Sequence, residues 1–137
     1  MTQDQIDKLD AFQRVITVVI TPEGAPKGHR FGPDTTFWCY TSGMVHAFDR
    51  PELEMRNVPA LFVEAAGGAL NEWAFYSVEE RAIKAGEKLG AEVAALRVLL
   101  QAVASPDTAF WGATPCLRLV LLASELACAK CAAGEAH

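Results

Sequence analysis

Apolar and polar positions change rhythm several times along this chain, and each change marks an element. Residues 3 to 10, in "MTQDQIDKLD", are polar and read equally as the start of a short helix or as a tail. "FQRVITVVI", residues 12 to 20, is rich in β-branched residues and is stopped by Thr21-Pro22, which predicts a buried strand. The stretch "TPEGAPKGHRFGPD" follows, with three prolines and three glycines, and predicts a long loop over residues 22 to 34. Loops of that length in compact domains are connectors or functional lids. "TTFWCYTSGMVHAF" returns to aromatic and β-branched residues and predicts a second strand to Tyr40, with Gly43 at a bulge or turn.

Next, "ELEMRNV" alternates with period two. Glu52, Glu54 and Arg56 fall on one side and Leu53, Met55 and Asn57 on the other, the pattern of a strand with a solvated charged face. Asp49-Arg50-Pro51 supplies a turn before it, so residues 36 to 57 read as a hairpin. After Pro59 the period lengthens. Phe62, Ala65 or Ala66, Ala69, Trp73 and Tyr76 recur at steps of three and four, which predicts an amphipathic helix begun by proline. Gly67-Gly68 weakens that helix by roughly 1 kcal/mol per glycine, which close approach of the helix to the sheet would offset. A turn or edge strand is expected around Ala85-Gly86. Residues 92 to 104 fit both states; the spacing of Val93, Leu96, Leu99, Leu100 and Val103 favours helix, while Arg97 to Leu100 suit a strand. "SPDTAFWGATP" reads as a loop, "CLRLVLL" as a strand and "ASELACAKCAA" as a short terminal helix. No sequence repeat is visible. The sum predicts a single α+β domain, a mainly antiparallel sheet with one or two helices packed on one face.

Composition narrows the function. Half of the 137 residues are hydrophobic and a fifth charged, as in ordinary globular proteins. A mean hydropathy of +0.15 leaves apolar surface beyond the core, for which a homo-oligomer interface is the expected use. The net charge is −5 and no basic stripe is present, which argues against nucleic-acid binding. The N-terminus lacks the apolar core of a secretory signal, and runs such as "CLRLVLLA" are too short to span a bilayer. A cytoplasmic location with no membrane association is expected. Four cysteines are too few for a secreted disulfide scaffold and read as reduced thiols.

Candidate chemistry is scattered. Cys128 and Cys131 have the spacing of half a zinc or redox motif, but no second pair stands at a diagnostic distance, so neither metal nor cofactor is expected. The phosphate-cradling and nucleophile-elbow motifs are absent from the sequence. His29 and Arg30, in "KGHRFG", could clamp an anion or act as an acid. Cys39, Thr41 and Ser42 are possible nucleophiles and His46 a possible base, although four residues of separation do not by themselves bring Ser42 to His46. Glu52 and Glu54, on one strand face, could pair as acid and base or join Asp49 around a cation.

The stretch "YTSGM", then "RPELEM", "ALNEWAFYSVEE" and "IKAGEKLG" resembles small bacterial domains catalogued only as domains of unknown function. The likeness covers residues 36 to 90 and rests on Tyr40, Thr41, Gly43, Pro51, Glu52 and Leu53. It implies an α+β fold in a bacterial cytosol and brings with it no established activity or site residues. Two functions are expected. The first is a non-enzymatic protein-interaction module of regulatory, immunity or assembly type, with Trp38, Phe48, Trp73 and Trp111 as possible anchors and an acidic surface suited to a basic partner. The second is a small-ligand-binding protein or an enzyme, with a cleft between the 22–34 loop and the 36–57 hairpin. The candidate binding residues for either are His29, Arg30, Tyr40, Thr41, His46, Arg50, Glu52 and Glu54.

Overall fold

A computed structural model of the chain describes residues 2–23, 35–93 and 96–124. His29, Arg30, Cys128, Cys131 and the expected terminal helix beyond Ser124 therefore lie outside the described residues, as does most of the 22–34 loop. The elements run α1 (Gln3–Val15), β1 (Thr17–Pro22), β2 (Thr36–Ser42), α2 (Met44–Phe48) and β3 (Glu52–Pro59). After a 3-10 turn over Ala60–Phe62 come α3 (Val63–Glu79), β4 (Lys88–Val93), β5 (Leu96–Ala104), α4 (Thr108–Trp111) and β6 (Cys116–Ser124). The six strands form one sheet in the order β1-β2-β3-β6-β5-β4. Every neighbouring pair is antiparallel except the central β3–β6, which is parallel. The fold is α+β, as the alternating periods predict.

Although the sequence shows no repeat, the order of elements is repeated. Helix, strand, strand, short helix, strand runs through α1 to β3 and again through α3 to β6. Each run contributes a three-stranded antiparallel meander, and the last strands of the two meanders meet at the centre of the sheet. That joint is short. β3 and β6 pair over Glu52–Cys116, Leu53–Leu117 and Glu54–Arg118, although both strands continue beyond.

Two bulges interrupt the central strands past the joint. Between Cys39–Met55 and Phe37–Val58, β2 advances two residues while β3 advances three, so β3 carries an extra residue. Asn57 holds it at φ +54°, a left-handed conformation that asparagine tolerates better than most residues. Between Leu100–Leu121 and Leu99–Ala123, β5 advances one residue and β6 two, which places a second bulge at Leu122. Bulged strands bend and twist more sharply than regular ones. Both bulges lie in the stretches where β3 and β6 no longer pair with one another.

The core lies on one face of the sheet. Alternation sends Leu53, Leu117 and Leu119 toward α3, where they pack with Ala66, Leu70 and Ala74. From α1, Phe12 and Ile16, one turn apart, join the same cluster, and Phe12 meets the rings of Phe48 and Phe75. Residues 12 to 15, expected as strand, are therefore the end of a helix. A capping box supplies its start: Thr2 accepts from the Gln5 amide at 3.2 Å and the Gln5 side chain accepts from the Thr2 amide at 2.8 Å. Burial of the Phe12–Ile16 pair then outweighs the β-preference of Val15.

Residues 96 to 104 resolve as strand, against their helical spacing. As β5 they have a hydrogen-bonded neighbour on both edges and bury Leu100 and Ala102 with period two. The loop "SPDTAFWGATP" contains α4, capped by Asp107, which accepts from the Phe110 amide at 3.2 Å. Ala123 and Ser124, expected in a terminal helix, close β6. On α3, Gly67 does face the sheet, with Ile20 and Val18 at 3.6 and 3.7 Å from where a Cβ would stand, whereas Gly68 faces open space. Gly43 is a stricter requirement. Its φ is +110°, and a Cβ there would stand 3.1 Å from the Val15 carbonyl oxygen.

Candidate functional site

The row of charges expected to face solvent is instead buried. Glu52 and Glu54 are 5% and 0% exposed, because β3 is the third strand of six and has neighbours on both sides. Each carboxylate then needs internal donors, since a buried charge without them costs several kcal/mol.

Glu52 finds its donors at the start of α2. Its Oε1 accepts from Thr41 Oγ1 at 2.9 Å and from the Met44 amide at 3.2 Å; its Oε2 accepts from the Val45 amide at 3.1 Å. The residue at the N-cap position is Gly43, which has no side chain to offer, so a carboxylate from the next strand caps the helix. Thr41 Oγ1 in turn accepts from the Leu53 amide at 2.9 Å. Thr41 and Glu52, both candidates for chemistry, are thereby engaged in holding the β2–α2–β3 connection.

Glu54 sits on the face opposite α3, and four donors converge on it. Oε1 accepts from the indoles of Trp38 at 2.9 Å and Trp111 at 3.1 Å. Oε2 accepts from Ser105 Oγ at 2.5 Å and Arg118 Nε at 2.8 Å. A carboxylate offers about four lone-pair positions, so this one is saturated. Burial pushes its pKa up, but Ser105, Arg118, Trp111 and Trp38 outweigh burial together and hold the carboxyl below the usual range. Glu54 therefore stays ionised at neutral pH and has no position left from which to take a substrate proton.

Around this carboxylate lies a shell of rings and charges. Trp38, Tyr40, Phe110 and Trp111 pack against one another at centroid distances of 4.4 to 6.3 Å, mostly edge to face. The Arg56 guanidinium lies 3.7 Å over the Trp38 ring, the position a bound cation would take in an aromatic cage. Arg56 also donates to Glu23 Oε2 at 2.7 Å and to Asp107, with its Nε 3.7 Å from Glu54. The other oxygen of Glu23 accepts from the Asn57 amide at 2.7 Å, so the same acid fixes the bulge of β3. This network joins the two meanders: Glu23, Trp38, Glu54 and Arg56 come from the first, and Ser105, Asp107, Trp111 and Arg118 from the second.

The remaining sequence candidates do not converge. Tyr40 is part of the ring cluster. His46 is exposed on α2, and among the described residues no hydrogen bond joins it to Ser42. Arg50 Nε donates to the Ser77 carbonyl at 2.7 Å and ties the α2–β3 turn to α3. Cys39 is buried beneath β2, and burial, reinforced by Glu23, pushes its thiol up to about 11; Cys116 is buried and shifted further in the same direction, again chiefly by burial. Neither is available as a thiolate nucleophile at neutral pH. Among the described residues, no cluster of histidine, cysteine or acidic side chains is arranged to hold a metal ion. Trp73, a suggested anchor, donates its indole N–H to the Gly90 carbonyl at 2.9 Å and binds α3 to β4.

Sequence reasoning missed the second half of the site. Past the joint, the bulged strands leave a cleft of about 440 Å³ on the α3 side, lined by Met55, Val58, Phe62, Ala66, Leu100 and Leu119. Arg56, Asn57 and Arg118 also border it, so the Glu54 network and the cleft share a boundary. Beside the cleft, β5 and β6 present Leu99, Val120, Leu121 and Leu122 to solvent, with Leu121 57% and Leu122 47% exposed. The lone hint in the sequence was "CLRLVLLA", whose apolar residues exceed what one buried strand face requires.

Comparisons with protein-family models, with curated proteins and with solved structures found no match.

Proposed function

We propose that this chain is a non-enzymatic protein-interaction module, of regulatory, immunity or assembly type, and that its working surface is the apolar end of the β5–β6 pair. The observation that carries the reading is the exposure of Leu99, Val120, Leu121 and Leu122 at one end of two adjacent strands, Leu121 on the cleft side of the sheet and Leu99 and Val120 on the other. Single exposed leucines are ordinary; four large apolar side chains exposed at the end of one strand pair favour an interaction surface. Support also comes from the carboxylates, which are the residues best suited to acid–base chemistry and are occupied in holding the fold. The partner favoured is a second copy of the chain, since exposed apolar strand residues of this kind are enriched at homodimer interfaces. The bacterial cytosolic setting implied by the "YTSGM" and "RPELEM" resemblance belongs to the same proposal. No helix among the described residues is long and apolar enough to cross a membrane.

Light scattering on the eluting protein tests it. A dimer or higher oligomer that becomes monomeric in Leu122→Lys is the expected result. A wild-type chain that stays monomeric at about 100 µM, well above a µM dissociation constant, and captures no stoichiometric partner from lysate would sink it. The second reading, a small-ligand-binding protein or enzyme, draws on one observation, the cleft. That cleft lies at the β3–β6 joint, and most of the 22–34 loop is outside the described residues.

A further inference from the structure

We infer that the cleft at the β3–β6 joint is a binding site for a small, uncharged, predominantly apolar molecule. Its volume of about 440 Å³ falls within the range of roughly 300–1,000 Å³ usual for small-molecule sites. Its position follows from the fold. Three residue pairs hold β3 to β6, and past Glu54–Arg118 both strands run on without pairing to one another, each carrying a bulge, at Asn57 and at Leu122. The opening is therefore built into both central strands. On the opposite face, the Glu54 network fastens the joint just where the strands begin to separate, and Glu23 occupies the amide of the bulged Asn57.

The charge of the ligand follows from the same network. Two guanidiniums border the cleft, which by itself would suit an anionic head group. Both are already matched. Arg56 bonds Glu23 and Asp107, and Arg118 bonds Glu54, so three carboxylates face two arginines. The local balance is one negative charge in excess, and an anion entering the cleft would meet no unmatched positive charge. The walls at Met55, Val58, Phe62, Ala66, Leu100 and Leu119 offer apolar contact alone. A neutral amphiphile with a short chain fits these conditions, and its carboxylate counterpart does not. Val120 and Leu121 border both this cleft and the apolar end of β5–β6, whereas Leu122 does not line the cleft, so Leu122→Lys tests the oligomer reading separately.

The test compares octanol with octanoate on the intact chain, both below the concentrations at which they aggregate, by titration calorimetry and thermal unfolding. Saturable binding of octanol that raises the unfolding temperature, with octanoate at least tenfold weaker, is expected. Ala66→Leu extends one wall into the cleft and is expected to weaken octanol binding at least tenfold while unfolding remains cooperative. Should that variant fail to fold, Leu121→Asp places a charge at the exposed mouth and is expected to weaken binding to a similar degree. The inference is overturned by an absence of saturable octanol binding, by octanoate binding as tightly as octanol, or by variants that bind octanol like the wild type. Light scattering on the same samples separates this outcome from failure of the oligomer reading.

Discussion

The two faces of the β3–β6 joint are built from neighbouring residues of the same strands, yet one is closed and the other open. On the face carrying Glu54, four donors saturate the carboxylate and four packed rings and two arginines surround it, with the buried Arg56 Nε left without a hydrogen bond among the described residues, 3.7 Å from Glu54. One residue further along each strand, Met55 and Leu119 point the other way into an unfilled cleft. The difference shows how a sheet can hold a gap at its centre. A parallel pair of three residues would be a weak joint alone, and the buried carboxylate fastens it from one side, so that the other side can remain open.

The comparison can be broken most directly at Glu54. Glu54→Gln removes the charge that Arg118 and Arg56 face and is expected to cost about 3 kcal/mol in urea unfolding, the scale for breaking a buried pair. An outcome under about 1 kcal/mol, the scale of a surface pair, would mean that the network is not what fastens the joint. The pH dependence sharpens the same point. Against burial, the hydrogen bonds to Glu54 hold its folded-state pKa below the usual glutamate value of about 4.3, so its stabilising contribution is complete above that pH and is lost as pH falls through the lower folded value. Unfolding free energies measured from about pH 6 down to about pH 3, either side of the carboxylate range, should fall more steeply in the wild type than in Glu54→Gln.

A smaller loss is expected at the other buried carboxylate. Glu52→Ala leaves the Met44 and Val45 amides and the Thr41 hydroxyl without their acceptor and should cost about 2 kcal/mol. Hydrogen exchange at those two amides should accelerate, while the indole N–H protons of Trp38 and Trp111 remain protected. Simultaneous loss of both sets would show that Glu52 and Glu54 act as one unit. Smaller again is the effect at the bulge. Asn57→Val forces a β-branched residue to φ +54° and should cost about 1–2 kcal/mol, while Asn57→Gly should lie within about 0.5 kcal/mol of wild type. On the apolar β6 surface, Leu122→Lys should change monomer stability by no more than about 0.5 kcal/mol, because the side chain is already half exposed. Its effect belongs to association.

Much of the architecture was legible in local patterns. The strand from Thr36, the helix after Pro59, the turn at Ala85-Gly86 and the strand from Cys116 all follow from periods of two or of three to four. Residues 12 to 15 and 96 to 104 were misleading, because short apolar runs take either state and the deciding contacts are distant in sequence. Phe12 turns into a helix to reach Phe48 and Phe75, and β5 becomes a strand because β4 and β6 flank it. The candidate site was legible only as a set of residue types. Glu52, Glu54, Thr41 and Tyr40 were singled out, but nothing local tells a solvated glutamate from one that caps a helix or collects two indole donors.

The sequence by itself determined that this chain alternates strands with helices, carries no phosphate-binding or nucleophile-elbow signature, and places glycine at position 43, where φ is positive. These are properties of single residues and of short-range periodicity. Tertiary structure alone decided that the "ELEM" strand lies at the centre of the sheet, and that placement reversed the meaning of its charges. It also decided that two meanders meet over three residues and then part, because register is a relation between strands and a bulge has no consequence until a neighbour is there to be bent away from. The paired carboxylates belong to the first kind of information, and the network and cleft they support belong to the second.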